Sequence, residues 1–120
     1  MNRLFAVAIF AFFSCSAAKS GEVDVLDVKV SGEGTQYRFS VTLEHADTGW
    51  DHYADAWEVV DENGVVFGKR VLAHPHVNEQ PFTRSGMITI PEGVKKVVVR
   101  AHDSVHGIGG AEMIVTIPGR

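Results

Sequence analysis

Residues 57–72 read WEVVDENGVVFGKRVL. Trp57 to Val60 form a β-type run, and Val65 to Leu72 form a second. Between them Asp61-Glu62-Asn63-Gly64 carries turn chemistry: Asp and Asn bond their own backbone, and Gly accepts the positive φ that a tight reversal needs. The stretch therefore predicts a β-hairpin. A short β-type run, a turn cluster and another short run is also the pattern of the rest of the chain beyond its first 18 residues.

Val23, Val25, Val28 and Val30 mark a strand whose alternation breaks phase near Leu26, and Ser31-Gly32-Glu33-Gly34 turns the chain. Tyr37, Phe39, Val41 and Leu43 alternate with polar residues at period two. Phe82 to Ile90 form a strand entered after Pro81 and closed by Pro91-Glu92-Gly93, Val94 to Ala101 form another, and Met113 to Ile117 the last. Trp50, Tyr53, Ala54 and Trp57 also fit helical spacing, but the turn directly after Val60 favours an irregular approach followed by a strand. About seven short strands with frequent turn signals predict an all-β, immunoglobulin- or fibronectin-like antiparallel sandwich. In the lettering of that fold the strands are A, B, C, C′, E, F and G.

The N-terminus reads differently. Arg3, the apolar run Leu4 to Phe13 and the small residues Ser14 to Ala18 follow the order of a secretory signal peptide. The expected organisation is a leader over 1–18 and one sandwich domain over 19–120, secreted across an inner membrane into the periplasm. The alternative is a lipoprotein anchored through Cys15. The run is too short for a membrane span, and none follows it. Cys15 is the one cysteine, so the mature domain has neither a disulfide nor a thiolate ligand. The chain has 11 basic and 15 acidic residues and a net charge of -4; without Arg3, 10 stand against 15, giving -5. That balance excludes the basic footprint of a nucleic-acid binder.

Successive connections in an antiparallel sandwich alternate between its two ends, so the B–C, C′–E and F–G loops share one end. All six histidines map to that end. His45 and His52 lie in or beside the B–C connection, His74 and His76 in the C′–E connection, and His102 and His106 flank the F–G connection. Neutral imidazole is a good ligand for zinc, copper, nickel and iron. The reading is one transition-metal ion held by His45, His52 and His106, with Asp103, His74 or His76 completing the shell. Copper is the first expectation, because divalent affinity for a nitrogen-rich site peaks there, and iron or zinc follow. His102, Asp47, Asp51 and Glu79 are within loop reach as partners that orient the ligand rings through their other nitrogens.

Two stretches resemble the superoxide reductases of the desulfoferrodoxin/neelaredoxin group. Residues 52–72, HYADAWEVVDENGVVFGKRVL, are similar to the family core, in which a His-Tyr element opens a strand before a hairpin and a Gly-Lys/Arg return strand. Residues 97–107, VVVRAHDSVHG, are similar to its late segment, where Cys-Asn-x-His-Gly ends a Val-rich strand. The resemblance implies an immunoglobulin-like sandwich with a loop-end iron site. By it His45 and His52 correspond to the family's B–C histidines, one residue further apart, and His106 to the histidine before Gly107. Asp103 stands where the family has its cysteine, the N-terminal histidine ligand has no counterpart between Glu22 and Val30, and His74 and His76 are extra. Exchanging a thiolate for a carboxylate replaces a soft, electron-donating ligand with a hard one.

Other chemistry reads weakly. Ser104 beside His102, Asp103 and His106 is a turn former rather than a nucleophile. Gly107-Ile108-Gly109-Gly110 opens no helix and is no phosphate loop; it marks a close backbone approach or a bulge. The expected function is exported metal binding. The alternatives are a redox enzyme acting on superoxide or peroxide, with a small oxygen species as partner, and a metal-free interaction module.

Overall fold

The computed structural model describes residues 22–120. The expected leader and Cys15 lie outside them. The strands are β1 (Asp24–Glu33), β2 (Gln36–Glu44), β3 (Ala54–Val60), β4 (Val66–Val71), β5 (Phe82–Thr89), β6 (Lys96–Asp103) and β7 (Gly107–Thr116). They form a three-stranded sheet ordered β1-β2-β5 and a four-stranded sheet ordered β4-β3-β6-β7, antiparallel throughout. This is A-B-E facing C′-C-F-G, the sandwich that the sequence predicts. Residues 50–52 make a turn, and the helical alternative for 50–57 is not realised.

Strand parity builds the core. In β2 the side chains of Tyr37, Phe39, Val41 and Leu43 are all buried; in β6 those of Val97, Val99 and Ala101 are. Trp57 from β3 is fully buried between the sheets, its ring 6.5 Å from that of Phe39 and tilted by 44°. Each such aliphatic or aromatic side chain contributes about 1.5–3 kcal/mol on leaving water. One step past the last apolar residue, the same inward parity delivers His45 after β2 and Asp103 at the end of β6. These strands belong to opposite sheets, so both side chains point into the sandwich at one end, where His45 is 3% and Asp103 0% exposed.

The phase break near Leu26 is a β-bulge: the register shifts between Val25 and Asp27, and Leu26 is left 44% exposed. The A–B turn is tighter than expected, because pairing runs on to Glu33 opposite Gln36 and only Gly34 and Thr35 turn. The last strand begins at Gly107 rather than Met113, so the F–G connection shrinks to Ser104, Val105 and His106.

Within β7 the register shifts opposite the pairs Val99–Met113 and Ala101–Gly109. The backbone N–H of Gly110 reaches Glu22 Oε1 at 3.2 Å, and that of Ala111 reaches Asp24 Oδ1 at 2.8 Å. Gly110 has φ +76°, and a Cβ there would meet the Val23 carbonyl oxygen at 1.9 Å. The glycine run is thus the bulge and close approach anticipated, with Val23 as the approaching backbone. Gly110→Ala is expected to destabilise the fold by about 2–4 kcal/mol in urea unfolding, combining left-handed strain with overpacking. Gly64→Ala is the control: its φ is +87° but nothing lies within 4 Å. It should lose only the conformational part, about 1–2 kcal/mol.

Candidate metal centre

The B–C connection folds back on itself, with Thr48 N–H donating to His52 O at 3.0 Å and His52 N–H donating to Gly49 O at 3.2 Å. This small turn returns His52 beside His45. The F–G turn docks onto it: Ser104 N–H donates to Tyr53 O at 2.9 Å, and Tyr53 N–H donates to Ser104 Oγ at 3.0 Å.

Three donor atoms converge. His45 Nε2 lies 3.2 Å from His52 Nε2 and 3.1 Å from Asp103 Oδ2, and His52 Nε2 lies 3.2 Å from the same oxygen. His106 adjoins them, its Nδ1 3.0 Å from Asp103 Oδ2 and its ring 4.9 Å from that of His52. Donors held about 2.1 Å from one ion are about 3.0 Å apart at right angles and about 3.4 Å apart at the tetrahedral angle. The three observed separations fall between those limits. His45, His52 and Asp103 therefore fit a shared transition-metal ion.

The surrounding hydrogen bonds orient these donors. Asp47, whose side chain is fully buried, accepts from His45 Nδ1–H. That bond holds a proton on Nδ1 and turns Nε2 toward the cluster. Asp47 also accepts from Ala54 N–H at 3.1 Å and, through its other oxygen, from His76 N–H at 2.7 Å. Asp103 Oδ1 accepts from Val105 N–H at 2.8 Å and His106 N–H at 2.5 Å. Burial raises the tendency of Asp103 to hold a proton. The backbone and side chain of His106, the Val105 N–H and the His52 side chain outweigh it and hold the carboxyl well below the usual carboxylate range. Two imidazole nitrogens and a carboxylate oxygen within 3.2 Å of one another need a proton or a metal ion among them.

The other expected residues fall elsewhere. His74 and His76 are set apart from this cluster: His76 stacks on Phe82 of β5 at 3.9 Å and 9°, with His74 beside it at 4.7 Å. Glu79 pairs with Arg84 at 3.2 Å, drawn outward by a surface cation, and Asp51 is exposed at the tip of the B–C turn. His102 has the opposite parity to Asp103, so it faces outward, and its Nδ1 lies 2.5 Å from Asp55 Oδ1. Among the residues expected to orient the rings, Asp47 holds the central place. The sequence reading missed Asp55, the extra residue of a bulge between Ala54 and Ala56. It also missed Gln80, whose Oε1 accepts from His45 N–H at 3.0 Å and whose Nε2–H donates to His76 O at 2.9 Å. Parity along β6 was a readable signal for His102; nothing local marks Asp55 or Gln80.

The fold is similar to that of a solved superoxide reductase. A solved superoxide reductase in the oxidized state aligns with 81% of this chain and 90% of its own, at 18% identity and a TM-score of 0.50. A superoxide reductase (1Fe-SOR) from Giardia intestinalis aligns with 78% of this chain and 99% of its own, at 15% identity and a TM-score of 0.45. At these identities what is shared is the fold. In sequence, the chain is 50% identical over 95 residues to a Halomicrobium mukohataei protein named "Putative lipoprotein". The match covers 78% of this chain and 47% of that protein, so the chain spans about half of its length. No family model matches. Asp103 ends the Val-rich β6 strand where the resemblance calls for cysteine, and residues 22–120 contain no thiolate.

Proposed function

We propose that this chain is an exported transition-metal-binding protein that holds one ion between the two sheets at the B–C/F–G end. The carrying observation is the convergence of His45 Nε2, His52 Nε2 and Asp103 Oδ2 within 3.2 Å from loops 58 residues apart at the widest. Asp47 supports it by fixing the His45 tautomer, the arrangement by which a ligating histidine is oriented and made more basic. His106 stands ready as a fourth donor. Affinity for such nitrogen-rich sets peaks at copper, and two histidines with one carboxylate also suit iron. Copper is the first expectation, then iron or zinc. The lipoprotein name of the Halomicrobium relative supports export, with anchoring through Cys15 as the alternative to release.

A second reading, a redox enzyme acting on superoxide or peroxide, is favoured by one feature. The His52 and His106 side chains are 23% and 38% exposed, so small molecules reach the cluster from the rim. A bound redox-active ion would supply the electron transfer. The chain's part is to orient the imidazoles through Asp47 and to keep a full negative charge at Asp103.

The test is metal analysis of protein purified without a polyhistidine tag, set against a His52→Ala/His106→Ala double variant. Both side chains lie at the rim, so the variant keeps its core. About one equivalent of metal is expected in the parent protein and a small fraction of that in the variant. Equal, negligible metal in both would remove the proposal. A change in the ion's optical or paramagnetic spectrum on adding superoxide would favour the enzyme.

A further inference from the structure

The His74-Pro75-His76 stretch takes no part in the centre, yet its rings lie together, with centroids 4.7 Å apart and planes inclined by 34°. His76 is 4% exposed and stacked on Phe82. Neither of its ring nitrogens has a hydrogen-bond partner among the described residues. Buried imidazoles ordinarily satisfy their nitrogens, and an orphaned pair calls for a physical reason such as an ion. Burial first, then the neighbouring Arg84 and His74, hold His76 below the ordinary histidine range, against the weaker pull of Glu79 and Asp47. The ring is neutral at neutral pH and keeps a lone pair. His74 is exposed, and its Nδ1–H donates to Pro75 O at 3.0 Å, which leaves the lone pair on Nε2.

We propose that His74 and His76 form a second metal site, a pair of adjacent imidazoles suited to a soft monovalent ion of the cuprous type. Two nitrogen donors meet the low coordination demand of such an ion, whereas zinc, which imidazole also suits, asks for four ligands. Of the nearby carboxylates, Glu79 is engaged by Arg84, and Asp47 by His45, Ala54 N–H and His76 N–H. The exposed His74 meets the ion first, and His76 supplies the second nitrogen from the protein side. The stack on Phe82 fixes the His76 ring while leaving its nitrogens uncommitted. The site is distinct from the His45/His52/Asp103 cluster but mechanically joined to it. His76 N–H is held by Asp47, the carboxylate that orients His45, and His76 O is held by Gln80, which also accepts from His45 N–H.

Silver(I), a redox-inert stand-in for cuprous ion, provides the test on the full chain, read by the ring ¹⁵N resonances of the histidines after one equivalent of zinc has been added. One equivalent of silver is expected to shift the His74 and His76 signals. His74→Ala and His76→Phe should each weaken silver binding at least tenfold; the second keeps a flat ring on Phe82, and the first alters only an exposed side chain. Silver that moves only the His45, His52 and His106 signals overturns the proposal, and so does unchanged affinity in both variants. Failure of the central site would be read separately, as the absence of zinc-induced shifts at His45 and His52.

Discussion

Replacing Asp103 by Asn is expected to weaken metal binding about 100-fold or more while leaving the sandwich folded, and replacing it by Ala should lose the metal and much of the local structure together. The carboxylate has two jobs that these variants separate. Its Oδ2 lies 3.0–3.2 Å from ring nitrogens of His45, His52 and His106. Its Oδ1 accepts the backbone N–H groups of Val105 and His106. Asn keeps an acceptor for the turn but removes the negative charge that a divalent ion requires beside neutral imidazoles. Ala leaves the part-buried N–H groups of Val105 and His106 without their acceptor, a loss of about 0.5–1.5 kcal/mol each. Metal titration followed by urea unfolding distinguishes the two. Equal affinity of Asp103→Asn and the parent would remove Asp103 from the ligand set.

The same group contributes to the acid limb of stability in the metal-free protein. Its folded-state value is below the ordinary carboxylate range, so its contribution is fully present above about pH 4 and is lost as the pH falls further. In Asp103→Asn that loss should disappear, and unfolding free energy measured from pH 6 to pH 2 should fall less steeply than in the parent.

The second large effect is expected at Asp47. Its carboxylate accepts from His45 Nδ1–H, Ala54 N–H and His76 N–H, tying the B–C loop to the start of β3 and to the C′–E loop. Asp47→Ala orphans three buried donors and should destabilise the protein by about 3 kcal/mol or more. It should also lower metal affinity about 10- to 100-fold, the usual effect of losing such an orienting partner. Asp47→Asn is the sharper variant. Its oxygen can still serve a backbone donor, whereas its amide facing His45 would push the imidazole proton to Nε2, the atom that must stay bare. Affinity should fall with a smaller loss of stability, and the His45 ring ¹⁵N pattern should report the tautomer directly. An Asp47→Asn protein with parental affinity would show that Asp47 orients nothing.

Much of the architecture was legible because it is written at period two. Tyr37, Phe39, Val41 and Leu43 state which face of β2 is inside, and continuing the count places His45 there. Val97, Val99 and Ala101 do the same for β6 and Asp103. Turn residues located the strand ends to within a few positions. They erred at β7, where Gly107 to Ala111 look like loop but lie in strand: Gly107, Ile108 and Gly109 pair with Asp103, His102 and Ala101 of β6, and the side chains of Glu22 and Asp24 take the N–H groups of Gly110 and Ala111.

The chain alone therefore settled the sandwich, the end of it that gathers the histidines, and the absence of a thiolate among the donors beyond residue 18. Each follows from side-chain alternation and residue type, which are local properties. Which imidazoles share a point was decided only when the sheets faced one another. His45 and Asp103 meet because their strands lie in opposite layers, whereas His76 finds Phe82 on its own side and His102 is turned to the outer face. The places of Asp47 and Gln80 were decided likewise, since a hydrogen bond between loops depends on the distance that closure of the core sets, and no spacing along the chain encodes it.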